Sequence, residues 1–314
     1  MAKISVVVPV FQNSETLPTL ILRLTEVIGR IEANNNYELV LVDDGSTDNS
    51  FTTLLELSAK YPCAFKILRL SRNFGQVAAI SAGLTCSSGD AVVIMSADLQ
   101  DPPEIIPRMI EEWSRGQDLV IAHRASRQDS IISQITSRIA YRIARNKYPS
   151  LPRGGFDFLL LSARAKDAYL GMKGKNRFFQ GDIMYLGYSV AFVPYARAQR
   201  ASGKSQWTFV KRLKYFQDMI VASSDLIPRS ATIIGAVLSI LGVATSSLLL
   251  IRLLSKESAY SDSLPEVGIS LLMVIAGLII FLLGQIGEYL WRIHEEIVDR
   301  PIFLVDQMVE KPSE

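Results

Sequence analysis

Two acidic clusters in this chain sit where an apolar run stops. Ala91-Val-Val-Ile-Met-Ser-Ala-Asp98-Leu-Gln100-Asp101 turns from uncharged residues to oxygen donors, and Pro102 and Pro103 close it. Asp98 and Gln100 are alternate residues, so extended backbone would point both the same way. Together with phosphate oxygens they could hold Mg²⁺ or Mn²⁺, cations that prefer oxygen ligands and leave part of their shell to water or substrate. Asp43-Asp44-Gly45-Ser46-Thr47-Asp48 follows a second apolar run. Tandem carboxylates repel, and at a strand end they can accept hydrogen bonds from a ribose or a base edge. Gly45 suits the turn there, and Asp48 reads as the N-cap of the next helix. Asp157 stands alone in the turn Gly154-Gly-Phe-Asp-Phe158.

A basic cluster complements the acids. Arg200-Ala-Ser202-Gly-Lys204-Ser205 offers guanidinium, ammonium, hydroxyl and backbone donors to a phosphate. Arg124, Arg127, Ser137 and Arg138 could complete an anion pocket, although Arg138 and Arg142 read equally well as solvated helix charges.

These residues need elements to hold them. Up to about residue 125, β-rich runs alternate with amphipathic stretches. Strands are expected at Ile4–Val10, Glu38–Val42, Phe65–Leu70, Ala91–Ser96 and Leu119–Ala122. Helices are expected near Ser14–Ile31, Ser50–Tyr61, Gly75–Thr85 and Pro103–Arg115, with a basic helix over Ser126–Ala144. Continuous apolar strands alternating with helices imply an α/β fold whose mostly parallel sheet is covered on both faces. Ligands of such sheets bind beyond the C-terminal ends of the strands, where the polar clusters fall. Residues 153–161 read as a turn entering an apolar strand, and Phe179-Gln-Gly-Asp182 as a second glycine turn.

The 314 residues carry a formal net charge of +2, which gives no reason to expect nucleic acid as a partner. Cys63 and Cys86 build neither a CxxC pair nor a disulfide framework, which fits a reducing compartment. Met-Ala-Lys leads directly into the first strand run, without a signal-peptide pattern. His123 and His294 are too isolated for a metal site or a catalytic triad.

The last third is different. Ser230–Ile251 and Val267–Gly287 carry no charged side chain and have the length, roughly 20 residues, that spans a bilayer. Before them, residues 205–229 set Trp207, Phe209, Tyr215, Phe216 and Met219 beside Lys211, Arg212 and Lys214. That pattern suits an amphipathic helix on an anionic membrane surface. The outer flanks are the more basic, so both termini and the tail from 291 to 314 are expected in the cytosol, and residues 253–266 outside. The expected organisation is a cytosolic domain over 1–204, an interface helix over 205–229 and spans over 230–252 and 267–290 of the plasma (inner) membrane.

Ser5-Val-Val-Val-Pro-Val-Phe11, Val42-Asp-Asp-Gly-Ser-Thr-Asp48, Ser71-Arg-Asn-Phe-Gly75, Ala97-Asp-Leu-Gln-Asp-Pro-Pro-Glu104 and Gly203-Lys-Ser205 resemble the inverting GT-A glycosyltransferases of family 2. The closest branch is the dolichyl-phosphate mannose synthase-like polyisoprenyl-phosphate glycosyltransferases. The two C-terminal spans and Gly287-Glu-Tyr-Leu-Trp-Arg292 make the chain most similar to bacterial bactoprenol glucosyltransferases of the GtrB type. The resemblance implies a Rossmann-like GT-A domain that moves a hexose from a nucleotide sugar to a polyprenyl phosphate. It implies that Pro9, Phe11, Glu15, Asp43, Asp44 and Asn73 bind the nucleotide sugar. Asp98 and Gln100 would hold Mg²⁺ or Mn²⁺ on the diphosphate, with Asp98 and Asp157 the catalytic candidates. Arg200, Ser202, Lys204, Ser205, Arg124, Arg127, Ser137 and Arg138 would hold the lipid phosphate.

Many relatives carry Asp-x-Asp where this chain has Ser96-Ala-Asp98, so one carboxylate is missing from the metal site. UDP-glucose with undecaprenyl phosphate is the expected pair, and GDP-mannose stays open. So do the choice between base and orienter for Asp157, and a homo-oligomer. A membrane-tethered nucleotide-sugar-binding protein without turnover is the rival from another class. A processive polysaccharide synthase would carry Gln-x-x-Arg-Trp, a spacing that Gln206-Trp207 lacks.

Overall fold

Val6, Val8 and Val10 face one side of the first strand and Val7 the other, and all are fully buried. A strand apolar on both faces needs helices on both, and the chain supplies them. The computed structural model describes residues 2–31, 35–124, 145, 148–149, 151–152, 155–172, 178–196 and 301–312, with isolated positions between 268 and 297. It divides into two units, 1–223 with 301–314, and 224–300.

In the first unit the elements run β1 (Ala2–Val10), α1 (Leu17–Ile31), β2 (Asn35–Asp43), α2 (Ser50–Lys60), β3 (Ala64–Leu70), α3 (Gln76–Cys86) and β4 (Ala91–Ile94). A 3₁₀ turn (Pro103–Ile105), α4 (Ile106–Ser114) and β5 (Leu119–Arg124) follow. After them come β6 (Phe158–Ser162), α5 (Ala163–Gly171), α6 (Phe179–Tyr185), β7 (Val190–Tyr195) and β8 (Val305–Lys311). The sheet order is β7-β5-β6-β4-β1-β2-β3-β8. β6 is antiparallel to β4 and β5, β8 is antiparallel to β3, and the other pairings are parallel.

Helix α1 buries Leu17, Leu20, Ile21, Leu24, Val27 and Ile28, a stripe at helical spacing, against one sheet face. Helices α2 and α4 share that face, whereas α3, α5 and α6 cover the other. Three layers with a mostly parallel sheet follow directly.

Four details depart from expectation. Strand β4 ends at Ile94 rather than Ser96, and Leu99 adopts a left-handed backbone (φ 62°), so the segment bearing Asp98 and Gln100 is bent, not extended. The residues over Phe179–Asp182 form α6 rather than a turn, because Phe179 and Ile183 bury one helical turn apart. Asn49, not Asp48, is the N-cap of α2; the Asp48 carboxylate accepts from Ser50 N at 3.0 Å, one residue further in. Finally, residues 305–311, expected only as part of a tail, form an edge strand of the sheet.

The basic helix over 126–144, the interface helix, the first expected span and more than half of the second lie outside the described residues. Among the described residues no helix is long and apolar enough to cross a membrane. In the second unit the described positions are helical, and Leu272, Ile279, Leu283, Leu290 and Ile297 are exposed.

Candidate active site

Strand register determines which residues share an end of the sheet. Asp43 closes β2 beside Val10 of β1. Ser96 and Asp98 follow β4, whose Ile94 pairs with Leu159 of the antiparallel β6. Because β6 runs the other way, its first residues, preceded by Asp157, stand at the same end as the last residues of β4. Arg124 pairs with Tyr195 where β5 and β7 finish. The C-terminal end of the parallel strands thus gathers Phe11, Asp43, Asp98, Asp157 and Tyr195.

The β1–α1 loop is stitched to the loop after β2. Gln12 N donates to Ser46 Oγ (3.0 Å), Asn13 N to Ser50 Oγ (2.9 Å) and Ser14 N to Asp48 Oδ2 (3.3 Å). Short hydroxyl and carboxylate side chains cap backbone donors in this way. Gly45 (φ 65°) lets the loop after β3 pass close by, since a Cβ there would lie 2.4 Å from the Arg72 carbonyl carbon. Pro9 and Phe11 are half-buried on this surface, and Glu15 and Asn73 are exposed.

The paired acids 43 and 44 have separate tasks. Asp44 Oδ1 accepts from Phe74 N at 2.8 Å and Oδ2 from Gly75 N at 2.9 Å, so its carboxylate anchors the loop before α3. Each oxygen keeps a second lone pair, so this anchoring role is compatible with the expected nucleotide contact. Asp43 is fully buried, and its Oδ1 accepts from Ser46 N at 3.2 Å. Its Oδ2 has no hydrogen-bond partner among the described residues; Arg69 Nε, at 3.6 Å, is its ion-pair neighbour. Burial pushes the Asp43 carboxyl above its ordinary value, and Ser46 and Arg69 offset only part of that. A buried carboxylate oxygen that lacks a hydrogen bond is a candidate contact for a ligand N–H or hydroxyl.

At the loop after β4, Ser96 Oγ lies 2.8 Å from Asp98 Oδ1 and 2.7 Å from Asp101 Oδ2. Gln100 N donates to Asp98 Oδ1 at 3.2 Å. Thr16 Oγ1 donates to Ala97 O at 2.8 Å, tying this bend to the β1–α1 loop. Asp98 and Gln100 supply hard oxygen donors suited to Mg²⁺ or Mn²⁺. Among the described residues no three acids, histidines or cysteines cluster to hold a metal by themselves. The donor set therefore fits a cation whose shell substrate oxygens complete.

Asp157 is exposed just before β6. Gln180, buried on α6, donates Nε2 to the Phe156 carbonyl at 2.8 Å and so steadies this turn. Gln180 had no local signal, since its partner lies 24 residues away. His123 is half-buried and packs edge-on against Phe192. Of the basic candidates, Arg124 closes β5, and Arg127, Ser137, Arg138, Arg200, Ser202, Lys204 and Ser205 lie outside the described residues.

Known proteins share this pattern. The glycosyl transferase family 2 profile matches residues 5–163. An uncharacterized glycosyltransferase of Synechocystis sp. is 33% identical over 98% of this chain and 95% of its own. The undecaprenyl-phosphate 4-deoxy-4-formamido-L-arabinose transferase of Klebsiella pneumoniae is 29% identical over 99% and 95%. Among solved structures, mannosyl-3-phosphoglycerate synthase from Rubrobacter xylanophilus matches with a TM-score of 0.52 at 16% identity, over 73% of this chain and 75% of that one. Glucosyl-3-phosphoglycerate synthase from Mycobacterium tuberculosis, in complex with Mg²⁺ and UDP, matches at 0.51 and 16%, over 71% and 78%. Both share the GT-A-type fold.

Proposed function

Because the chain belongs to glycosyl transferase family 2 and is a glycosyltransferase, we propose that it transfers glucose from UDP-glucose to undecaprenyl phosphate at the cytosolic face of a membrane. One arrangement carries this reading. The sheet end that holds Asp43, Asp98 and Asp157 is also where β7 finishes at Tyr195 and β8 begins at Val305. In chain order β7 is the last sheet strand before residues 224–300, and β8 the first after them. Both ends of the 224–300 segment belong to the first unit, so any crossings it makes are even in number. Two apolar spans, over 230–252 and 267–290, satisfy that count. The acceptor of the Klebsiella relative supports the same class.

Asp43 Oδ2 receives a donor from the nucleoside, the base N–H of uracil being one such group, while Phe11 and Pro9 flank it. Asp98 and Gln100 would hold the cation, which would supply positive charge to stabilise the departing diphosphate. An oxygen of the acceptor phosphate forms the bond to the anomeric carbon as the bond to the diphosphate breaks, and the electron pair leaves with UDP. The phosphate monoester is already ionised near neutral pH, so no general base is required. Asp157 then orients the sugar or the acceptor. Attack opposite the leaving group inverts the anomeric centre.

The test is a panel of radiolabelled sugar nucleotides with short polyprenyl phosphates. Metal-dependent formation of a lipid-soluble product from UDP-glucose supports the proposal. Product from GDP-mannose instead would change the donor. Tight UDP binding with no transfer to any acceptor would sink it.

A further inference from the structure

Asp101 is 2% exposed and pairs with no cation among the described residues. Both of its oxygens are engaged, Oδ1 by the Tyr195 hydroxyl at 2.5 Å and Oδ2 by the Ser96 hydroxyl at 2.7 Å. The same Ser96 hydroxyl lies 2.8 Å from Asp98 Oδ1. Tyr195, Asp101, Ser96 and Asp98 thus form one continuous line from β7 to the candidate metal ligand. Ser96 has a single proton and faces two carboxylates, so it can serve only one of them fully.

We infer that Asp101 and Tyr195 are positioning residues for Asp98, acting through Ser96, and that Asp101 supplies from inside the fold the negative charge Ser96 does not carry. A cation on Asp98 reduces that carboxylate's demand for the Ser96 proton. The proton then belongs to Asp101, whose other oxygen Tyr195 already holds. Outer partners that orient a ligating carboxylate commonly change metal affinity about 10-fold or more when removed. The left-handed Leu99 between Asp98 and Asp101 is what turns both acids toward one hydroxyl. Position 101 lies next to two prolines and reads as a turn acid, and Tyr195, 94 residues away, has no signal linking it to the site.

The inference rests on the proposed metal-dependent transfer, and its test separates the two. The full chain, purified in detergent with UDP present, is titrated with Mn²⁺, and free manganese is read by electron paramagnetic resonance. Tyr195→Phe removes one hydroxyl and is expected to weaken Mn²⁺ binding about 10-fold. Asp101→Asn should weaken it at least as much, and UDP affinity without metal should stay within twofold. If the wild type and a folded Tyr195→Phe hold Mn²⁺ equally, the inference is overturned and the function stands. If the wild type holds no Mn²⁺ with UDP, the metal reading falls and takes the inference with it. Should Asp101→Asn not fold, Tyr195→Phe alone decides.

Discussion

Strand β2 carries a buried acid near each end, and the two are treated in opposite ways. Glu38, at the end away from the site, is met by the Ser5 hydroxyl (2.6 Å), Ser88 N (2.6 Å), Lys3 Nζ (2.9 Å) and Lys66 Nζ (3.4 Å). Burial alone would raise its carboxyl, yet the Ser5, Ser88 and Lys3 contacts outweigh burial and hold it at about 2. Asp43, five residues on, keeps an oxygen without a hydrogen bond and is pushed up by burial. Both are near-invisible to solvent, so burial does not distinguish them. Satisfaction does. Glu38 joins β1, β2 and the turn before β4, whereas Asp43 is left one donor short at the end where a nucleotide would supply it.

The sharpest way to break this contrast is to neutralise each acid. Glu38→Gln should cost about 3 kcal/mol of stability, the equivalent of lowering a carboxyl from 4.5 to about 2. Its KM for the sugar nucleotide should not change. Urea unfolding and steady-state kinetics read the two quantities. The acid-side pH dependence should follow. A depressed folded value contributes stability above the unfolded value of 4.5, and that contribution is lost as pH falls from there toward 2. The stability difference between wild type and Glu38→Gln should therefore shrink over that window.

Asp43→Asn should show the reverse pattern. Losing a charged acceptor for a ligand donor weakens nucleotide binding by about 2 kcal/mol, roughly 30-fold. Stability should hold or rise. A raised folded value favours the protonated fold, so the wild type loses stability as pH rises from 3.8 through that value, and the amide does not. Calorimetric titration with UDP, beside thermal unfolding at two pH values, checks both. A stability loss matching that of Glu38→Gln, with no change in UDP affinity, would erase the contrast.

Smaller effects sharpen it. Gly45→Ala places a methyl against the loop after β3 in a left-handed backbone, and should cost about 1–2 kcal/mol with some loss of UDP affinity. Lys3→Met removes one of two cations from Glu38, but the Lys3 side chain is 41% exposed. Its expected cost is below about 1 kcal/mol, with no effect on transfer. Thermal unfolding and a UDP titration read both variants.

Much of the architecture was legible in the sequence, and part of the site was. Alternating apolar runs placed β1 through β5 and the helices between them to within a few residues, because periods of 2 and 3.6 are local properties. The acids at the strand ends were legible for the same reason. The end of β4 was not, since Met95, Ser96 and Ala97 continue an uncharged run while the backbone bends toward a left-handed Leu99. Strand β8 was missed because Asp306, Glu310 and Lys311 leave a seven-residue edge strand without an apolar face, and its partner β3 is more than 200 residues away. Gln180 and Tyr195 gave no signal for a similar reason: their contacts cross the fold.

From its own residues the chain determined a covered, mostly parallel sheet and which strand ends would be acidic. Tertiary structure decided what each acid does. Asp44 became a loop anchor through donors 30 residues away, and Asp101 a buried partner through a tyrosine 94 residues away. Glu38 was satisfied by a serine 50 residues away, and Asp43 was left incomplete. Strand and helix periods are written between neighbours, but the hydrogen bonds that satisfy or spare a buried carboxylate come from distant segments that meet only in the folded protein.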